Sequence, residues 1–143
     1  MHHVIIMKKE WGLIPKILNG EKTVESRWYK NKVAPWGRVS IGDILYFKDS
    51  GGFVNVKSVV TDVEQIKIGD NSHAIKVMQG HSLADLGTTI IPKDLLAYIL
   101  NKKYAIFVAF DNVEKIHPFD IDKKGFGMQS AWLVCDDVKL IQK

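Results

Sequence analysis

The chain has 143 residues, of which 46% are hydrophobic and 25% charged, a composition that excludes extended disorder and predicts a globular protein. A chain of this length buries roughly two-thirds of its unfolded surface, and residues 1–143 are expected to form a single domain. The net charge of +4 is modest, and the longest apolar run, Ala105 to Phe110, is far shorter than the about 20 residues of a transmembrane helix.

The chain begins with signals for a strand, a helix and a second strand. A short apolar run predicts the first strand over His3–Met7. Apolar residues at helical spacing predict a helix over Gly12–Asn19, ended by the left-handed glycine that commonly follows a helix, Gly20. Alternating side chains then predict a strand over Lys22–Tyr29.

The predicted strand Lys22–Tyr29 separates its side chains by type. One face carries Thr23, Glu25, Arg27 and Tyr29, and the other carries Val24, Ser26 and Trp28. Lys22 lies in the turn before the alternation begins, so its long side chain can reach either face. A cluster of Lys22, Glu25 and Arg27 is therefore permitted, and Trp28 is expected in the core.

A cationic loop and a β-meander follow this strand. The loop, Lys30–Ile41, places Trp36 among lysines and Arg38, a mixture found where bases stack on rings and cations hold the nucleic-acid backbone. The next elements are a strand over Ile44–Phe47, a hairpin turn over Asp49–Gly52, and a long bent or bulged strand over Phe53–Ile66.

The second half of the chain begins with helices and returns to strands. Helices are predicted from a cap at Ser72 to about Gly80, and from Pro92 to Lys102. The later elements are strands over Tyr104–Phe110 and Val113–Ile116, a turn at His117-Pro118, a loop over Lys123–Gly127, and strands over Ser130–Val134 and Val138–Ile141. Strands outnumber helices without a regular strand-helix-strand repeat, which favours an α+β fold, a small mixed β-barrel with a few peripheral helices.

The run from Gly20 to Arg27 resembles the signature of the ASCH domain, a family in the PUA-like superfamily of small β-barrels associated with RNA. That signature is a helix, then G-x-K-x-x-E-x-R, then a Gly-Asp step into an apolar strand; this chain has Gly20, Lys22, Glu25 and Arg27, with Gly42-Asp43 before the strand. The match extends over about Leu13 to Phe47 and is absent as a motif from about Ile66 to Lys103. The resemblance implies a PUA-like barrel whose cleft is lined by the signature residues.

The ASCH family is mixed in function, so the resemblance implies two alternatives. One is an RNA-binding or modified-nucleotide-binding module with a basic cleft. The other is a small hydrolase, either a ribonuclease or an amidohydrolase that removes the acetyl group of a modified cytidine, with Lys22 and Glu25 as an acid/base pair. In the amidohydrolase pattern a threonine stands at the position of Glu25, so the lysine carries over and the hydroxyl does not. The binding module is therefore preferred.

The distribution of charge fits an anionic partner. Residues 1–60 hold ten Lys and Arg against five Asp and Glu, whereas residues 61–143 hold ten against eleven, so the basic excess lies with the signature. The predicted ligand-binding residues are Gly20, Lys22, Glu25, Arg27, Trp36, Arg38, Ser50 and Ser130. The glycines after Ser50 could cradle a phosphate with their amides, although a plain hairpin turn is the simpler interpretation.

No cofactor and no metal are predicted. The five histidines do not cluster, and no Cys/His pattern has zinc spacing. The single cysteine, Cys135, can form no internal disulfide, and the first residues lack a signal peptide, which predicts a cytoplasmic protein. RNA, a nucleotide or a nucleoside is the expected partner, and no membrane association is expected.

Overall fold

The computed structural model describes residues 1–143 as one six-stranded sheet with three α-helices. The strands are β1 (His2–Met7), β2 (Val24–Tyr29), β3 (Ile44–Asp49), β4 (Val54–Lys67), β5 (Tyr104–Phe119) and β6 (Trp132–Cys135). The helices are α1 (Leu13–Leu18), α2 (Asn71–Leu86) and α3 (Lys93–Ile99), with short 3₁₀ helices over Lys9–Trp11 and Val138–Leu140. None of these helices has the length and apolar character needed to span a bilayer.

The sheet curls into a half-barrel. Its strand order is β2-β5-β4-β3-β1-β6, and neighbouring strands are antiparallel except for the parallel pair β1 and β3. The curl brings β2, at one edge, close to β1, which is next to the strand at the other edge. Nη2 of Arg27 on β2 lies 3.2 Å from the carbonyl oxygen of Ile6 on β1. We call the gap between β2 and β1 the seam. The α+β, barrel-like fold predicted from the sequence is confirmed.

Two groups of apolar side chains hold the sheet in this shape. The first includes Ile5, Phe47 and Val108, and the buried face of α1 packs against it. The second lies between the sheet and the helices α2 and α3, and includes Trp28 and Met78. Trp28 is 1% exposed, as its place on the apolar face of the strand predicts. The apolar face of β2 therefore packs against the helices, and its charged face lies toward β1.

The two long strands bend where their register slips. β4 and β5 are paired along most of their length, with three register shifts. At one shift Ser58 of β4 stands opposite two residues of β5, Asn112 and Val113. Asn112 has a φ of 51°, in the left-handed region that asparagine enters more readily than most residues. Such bulges increase local twist, and the bend predicted for Phe53–Ile66 is confirmed.

Several predicted elements are wrong in extent or type. α2 continues past Gly80, which lies on its exposed side, and its cap is Asp70 and not Ser72. β5 is one strand through His117-Pro118, because β2 pairs only with its first half and leaves a free edge on which proline is tolerated. The segment predicted as a last strand, Val138–Ile141, is largely a 3₁₀ helix begun by Asp137, whose side chain accepts from the Lys139 amide.

Candidate functional site

A cleft of about 250 Å³ opens along the seam. β2 contributes Glu25, Ser26 and Arg27 to its lining. The other lining residues are Ile6, Met7, Lys8, Trp11, Leu13, Asp85, Leu86, Leu95, Tyr98 and Ala131. The helical segment between β4 and β5 therefore forms one wall of the cleft. An apolar concavity with a few convergent polar groups is the usual form of a small-molecule site.

Lys22 lies beneath the polar side of the cleft and is fully enclosed. Its side chain is 0% exposed, and its Nζ lies 2.5 Å from Oδ1 of Asp85 and 3.2 Å from Oε1 of Glu25. The carbonyl oxygens of Val24 and Asp85 each lie 2.6 Å from the same nitrogen. An ammonium has three N–H donors, so these four acceptors occupy all of them. Lys22 itself is absent from the cleft lining.

The last turn of α2 docks onto the segment that carries Lys22. Carbonyl groups in the last turn of a helix have no partner within the helix. Three consecutive ones are bonded here: Ala84 accepts from the Thr23 amide at 2.8 Å, Asp85 from Lys22, and Leu86 from Nζ of Lys16 at 2.8 Å. Cations at this end of a helix also complement its dipole. The docking places the Asp85 carboxylate beside β2.

The charges of this cluster stabilise one another. Burial by itself lowers the pKa of Lys22, but the carboxylates of Glu25 and Asp85 outweigh burial and raise that pKa above its usual value. Burial by itself raises the pKa of Glu25, and the charges of Lys22 and Arg27 lower it instead. Near neutral pH Lys22 is therefore an ammonium and Glu25 a carboxylate. A lysine that holds its proton this firmly is a poor general base.

Glu25 and Arg27 form the part of the cluster that lines the cleft. Nη2 of Arg27 lies 3.2 Å from Oε2 of Glu25 and 3.2 Å from the carbonyl oxygen of Ile6. Both hydrogen bonds use this one nitrogen, and the donors on Nη1 and Nε make no hydrogen bond within the protein. The guanidinium carbon lies 5.6 Å from the centre of the Trp132 ring, within the range of a cation–π contact. Arg27 is thus held in place and still has donors to offer.

A second polar pair lies beside Glu25. The hydroxyl of Ser26 donates to Oδ2 of Asp85 at 2.5 Å, while Oδ1 of the same carboxylate accepts from Lys22. Ser26 and Asp85 both line the cleft. Hydroxyl, carboxylate and ammonium therefore form a chain in which the carboxylate is placed to accept the serine proton.

Two aromatic residues line the cleft and are fixed by their polar atoms. Nε1 of Trp11 donates to the Asp94 carboxylate at 2.8 Å, which ties the first 3₁₀ helix to α3. The hydroxyl of Tyr98 donates to the carbonyl of Trp28 at 3.0 Å, and burial raises the pKa of that hydroxyl. Rings anchored in this way can present an apolar surface to a planar ligand.

A buried histidine supports the cleft from behind Trp132. Nε1 of Trp132 donates to Nδ1 of His3 at 3.0 Å, and Nε2 of His3 lies 2.8 Å from the Asp43 carboxylate. Because an indole N–H can only donate, Nδ1 of His3 carries no proton and Nε2 donates to Asp43. Burial lowers the pKa of His3 in spite of the Asp43 charge. A neutral histidine therefore holds the ring that Arg27 contacts.

The structure brings some of the predicted site residues together and leaves others apart. Glu25 and Arg27 line the cleft, and Lys22 lies beneath them. The predicted residues outside the cleft lining are Gly20, Trp36, Arg38, Ser50 and Ser130. Trp36 contacts Tyr104 at the start of β5, the Ser50 amide bonds to the carbonyl of Met7, and Ser130 precedes the lining residue Ala131.

The sequence pattern did not indicate Asp85, Tyr98 or the Ser26 hydroxyl as site residues. A signal for Asp85 exists: the buried residues of α2 are Ala74, Met78, Ser82, Asp85 and Leu86, and an acid on the buried stripe of a helix indicates an internal partner. The sequence predicts a helix that ends near Gly80, so Asp85 falls outside the predicted helix and its place on the buried stripe is not recognised.

Comparisons with known proteins identify the fold. No protein-family model and no curated protein matches the sequence. The crystal structure of the ASCH protein from Zymomonas mobilis aligns with a TM-score of 0.63 at 14% identity, covering 97% of this chain and 91% of that one, and two of its variants give 0.64. A protein described only as hypothetical gives 0.52 at 17% identity, covering 81% of this chain and 100% of its own. The ASCH resemblance is confirmed at the level of the fold.

Proposed function

We propose that this protein is an ASCH-type module that binds RNA or a modified nucleotide and receives one base in the cleft. The observation that carries the proposal is the pairing of Glu25 with Arg27 in the cleft lining, 3.2 Å apart, with donors left over on Arg27. A carboxylate accepts from the exocyclic amine of a base, and a guanidinium donates to a carbonyl or phosphate oxygen. Together the two side chains can read the edge of a base.

Size and lining support a single nucleotide unit as the ligand. The cleft volume of about 250 Å³ is just below the about 300–1,000 Å³ typical of sites for drug-sized molecules, too small for a folded RNA element. Trp11 and Tyr98 offer rings for stacking, and proteins read RNA mostly through bases splayed out in this way. In this function Lys22 keeps Glu25 ionised and in place without touching the ligand.

Calorimetric titration of the protein with nucleosides, N4-acetylcytidine and short single-stranded RNAs tests this function. Glu25→Gln and Arg27→Met should each weaken binding by about 5- to 150-fold, since a good contact to a base edge contributes about 1–3 kcal/mol. The matched changes Glu114→Gln and Lys57→Met, at an exposed ion pair with 3.3 Å between its charged atoms, should leave affinity unchanged. Absence of binding to every one of these ligands by the folded wild type would refute the proposal.

The chain of Ser26, Asp85 and Lys22 favours a hydrolase as a second candidate. An acid/base pair of Lys22 and Glu25 would require the enclosed ammonium to give up a hydrogen bond, whereas Ser26 and Asp85 already line the cleft. The hydroxyl that the amidohydrolase pattern places at position 25 would then be supplied one residue later. Asp85 would accept the Ser26 proton as Oγ adds to an acyl carbon, and the leaving amine would take that proton as the carbon–nitrogen bond breaks. Water would then add to the acyl carbon and give a proton to Asp85, and that proton would return to Oγ as the bond between Ser26 and the acyl group breaks and the free acid leaves.

Incubation with acylated cytidines and with labelled RNA, read by chromatography, tests the hydrolase. Ser26→Ala should abolish amide hydrolysis, and Ser26→Thr, which keeps the hydroxyl, should retain part of it. Product that survives Ser26→Ala would exclude the serine mechanism. If folded wild type yields no product from any of these substrates, the hydrolase is excluded for them and the binding module stands alone.

A further inference from the structure

A cationic patch lies at the end of the sheet where β2 finishes and β5 begins. We propose that this patch holds the phosphates of a single-stranded RNA whose adjoining base enters the cleft, an inference that rests on the proposed function of the cleft. The patch consists of the rings of Trp36 and Tyr104, which contact each other, and of the nearby lysines Lys30, Lys32, Lys67, Lys102 and Lys103. The sequence alone indicates only the members in the loop, Lys30, Lys32 and Trp36, because the other members come from distant segments.

Strand pairing brings the members of the patch together. Tyr29 of β2 is paired with Tyr104 of β5, which is paired with Lys67 of β4, and neighbouring strands lie about 4.8 Å apart. The Lys103 amide donates to the carbonyl of Tyr29 at 2.9 Å, which fixes the next position along this row. Lys30, Lys32 and Lys102 lie within three residues of the row along the chain.

The lysines of the patch lie near aromatic rings and have no acidic partner. Nζ of Lys32 lies 5.7 Å from the centre of the Tyr104 ring, and the half-buried Trp36 packs on the same ring in a T-shaped arrangement with 5.1 Å between ring centres. None of the five lysines takes part in an ion pair. The contributing segments 28–42, 65–69 and 95–110 contain no Asp or Glu. Cations interleaved with aromatic rings are the surface that single-stranded nucleic acids use.

Lys102 connects the patch to the cleft. Its Nζ lies 4.8 Å from the centre of the Tyr98 ring, and Tyr98 lines the cleft. A phosphate held at Lys102 therefore lies beside a wall on which the neighbouring base can stack. Because the cleft takes a single unit, the flanking nucleotides of a strand must lie outside it, and the patch is adjoining surface of the right charge. An acidic peptide would satisfy the lysines but would offer no planar group to the rings or the cleft.

Two binding measurements separate the patch from the cleft. Fluorescence anisotropy follows a labelled oligocytidine of about ten nucleotides, within the usual site sizes for single strands, and calorimetry follows cytidine and N4-acetylcytidine. The triple variant Lys32→Gln/Lys67→Gln/Lys103→Gln should weaken oligocytidine binding at least about tenfold and reduce the log–log salt slope by about 2, since each phosphate contact contributes about 0.7. Nucleoside affinity should be unchanged.

A charge-matched control distinguishes the patch from net charge. Lys115→Gln/Lys124→Gln/Lys139→Gln removes the same charge at exposed lysines outside the patch, and it should change oligocytidine affinity by less than about twofold. Trp36→Ala, which removes a ring without changing charge, should weaken oligocytidine binding by about tenfold.

Each contrary outcome has a definite meaning. Equal weakening in the two triple variants would refute the patch and leave the cleft function intact, as would a wild type that binds cytidine as tightly as oligocytidine. Equally tight binding of duplex RNA or of polyglutamate would refute the assignment to a single strand. A folded wild type that binds neither nucleosides nor oligocytidine would refute the proposed function, and the patch with it.

Discussion

At the scale of single residues, Lys22 is a buried charge that organises the site from beneath. Its removal would leave Asp85 without a cation and Glu25 with Arg27 alone. Lys22→Met should therefore lower the free energy of unfolding at neutral pH by about 3–5 kcal/mol, measured by urea denaturation. The loss should shrink at acid pH, where the carboxylates can take up protons. Lys57→Met, at the exposed pair with Glu114, should cost about 0–1 kcal/mol, and equal effects of the two changes would contradict the prediction.

His3 should make stability depend on pH in the mildly acidic range. Its pKa in the folded protein lies below 6.5, so the unfolded chain binds more protons as the pH falls. The stabilisation is complete above about pH 6.5, begins to fall at that value, and is fully lost below the folded pKa. The pKa values of Asp43 and Glu25 are lowered from 3.8 and 4.5, so their contributions are present above those values and are lost only at stronger acidity.

Urea unfolding of wild type and His3→Gln between about pH 7 and pH 5 measures the His3 contribution. The free energy of unfolding of the wild type should fall over this interval, and the fall should be smaller in the variant. Glutamine keeps a donor and an acceptor for Asp43 and Trp132 but has no proton to gain. Parallel curves for the two proteins would contradict the assignment to His3.

At the scale of elements, the predictions that hold are those that depend on local periodicity. Alternation along β2 is sufficient to place Glu25 and Arg27 together and Trp28 in the core, because the two faces of a strand follow from sequence spacing alone. Asp85 reaches Lys22 across 63 residues of chain, and its position depends on where α2 ends and what it docks against. Gly80 predicts an early end to that helix, although the buried stripe continues beyond it.

The two glycines of the α2 region should respond to alanine in opposite directions. Gly80 lies within the helix, and an added Cβ there would meet open space, so Gly80→Ala should raise the free energy of unfolding by up to about 1 kcal/mol. Gly87 ends the helix with a φ of 72°, and an added Cβ would lie 3.2 Å from Cβ of Glu21. Gly87→Ala should lower the free energy of unfolding by about 1–2 kcal/mol. Thermal or urea unfolding measures both, and changes of the same sign would contradict this account.

At the scale of the whole molecule, the cleft exists because the barrel does not close at the seam. Side chains occupy the free edge of β2: Val24 accepts from Lys22 at 2.6 Å, the Ser26 amide donates to Glu25 at 3.1 Å, and the amide and carbonyl of Trp28 bond to the Tyr98 hydroxyl at 3.4 and 3.0 Å. An edge with unpaired backbone groups invites another strand. Here side chains already bond four of these backbone groups, which keeps the gap open for a ligand.

The seam also marks the limit of what the sequence could predict about the site. The number of strands and the lack of a regular strand-helix-strand repeat indicate a small mixed barrel. Where that barrel stays open depends on contacts such as that between Tyr98 and Trp28, which lie 70 residues apart. Neither residue carries a local signal for the other, because a tyrosine on a short helix is equally consistent with core packing or with an exposed surface. The charged face of β2 was predictable, and the side chains opposite it were not.

If side chains hold the free edge of β2 by bonding its backbone groups, removal of the Tyr98 hydroxyl should make the backbone at Trp28 open more often. Tyr98→Phe leaves the amide and carbonyl of Trp28 without their partner, and should lower the free energy of unfolding by about 1 kcal/mol and speed hydrogen exchange at the Trp28 amide. Tyr46→Phe is the matched control, since the Tyr46 hydroxyl makes no hydrogen bond within the protein, and it should change stability by less than about 0.5 kcal/mol. Because Tyr98→Phe keeps its ring, nucleoside binding should persist while exchange accelerates. Unchanged exchange at Trp28 would mean that the edge of β2 is satisfied in some other way, and that the seam stays open for a reason other than its side chains.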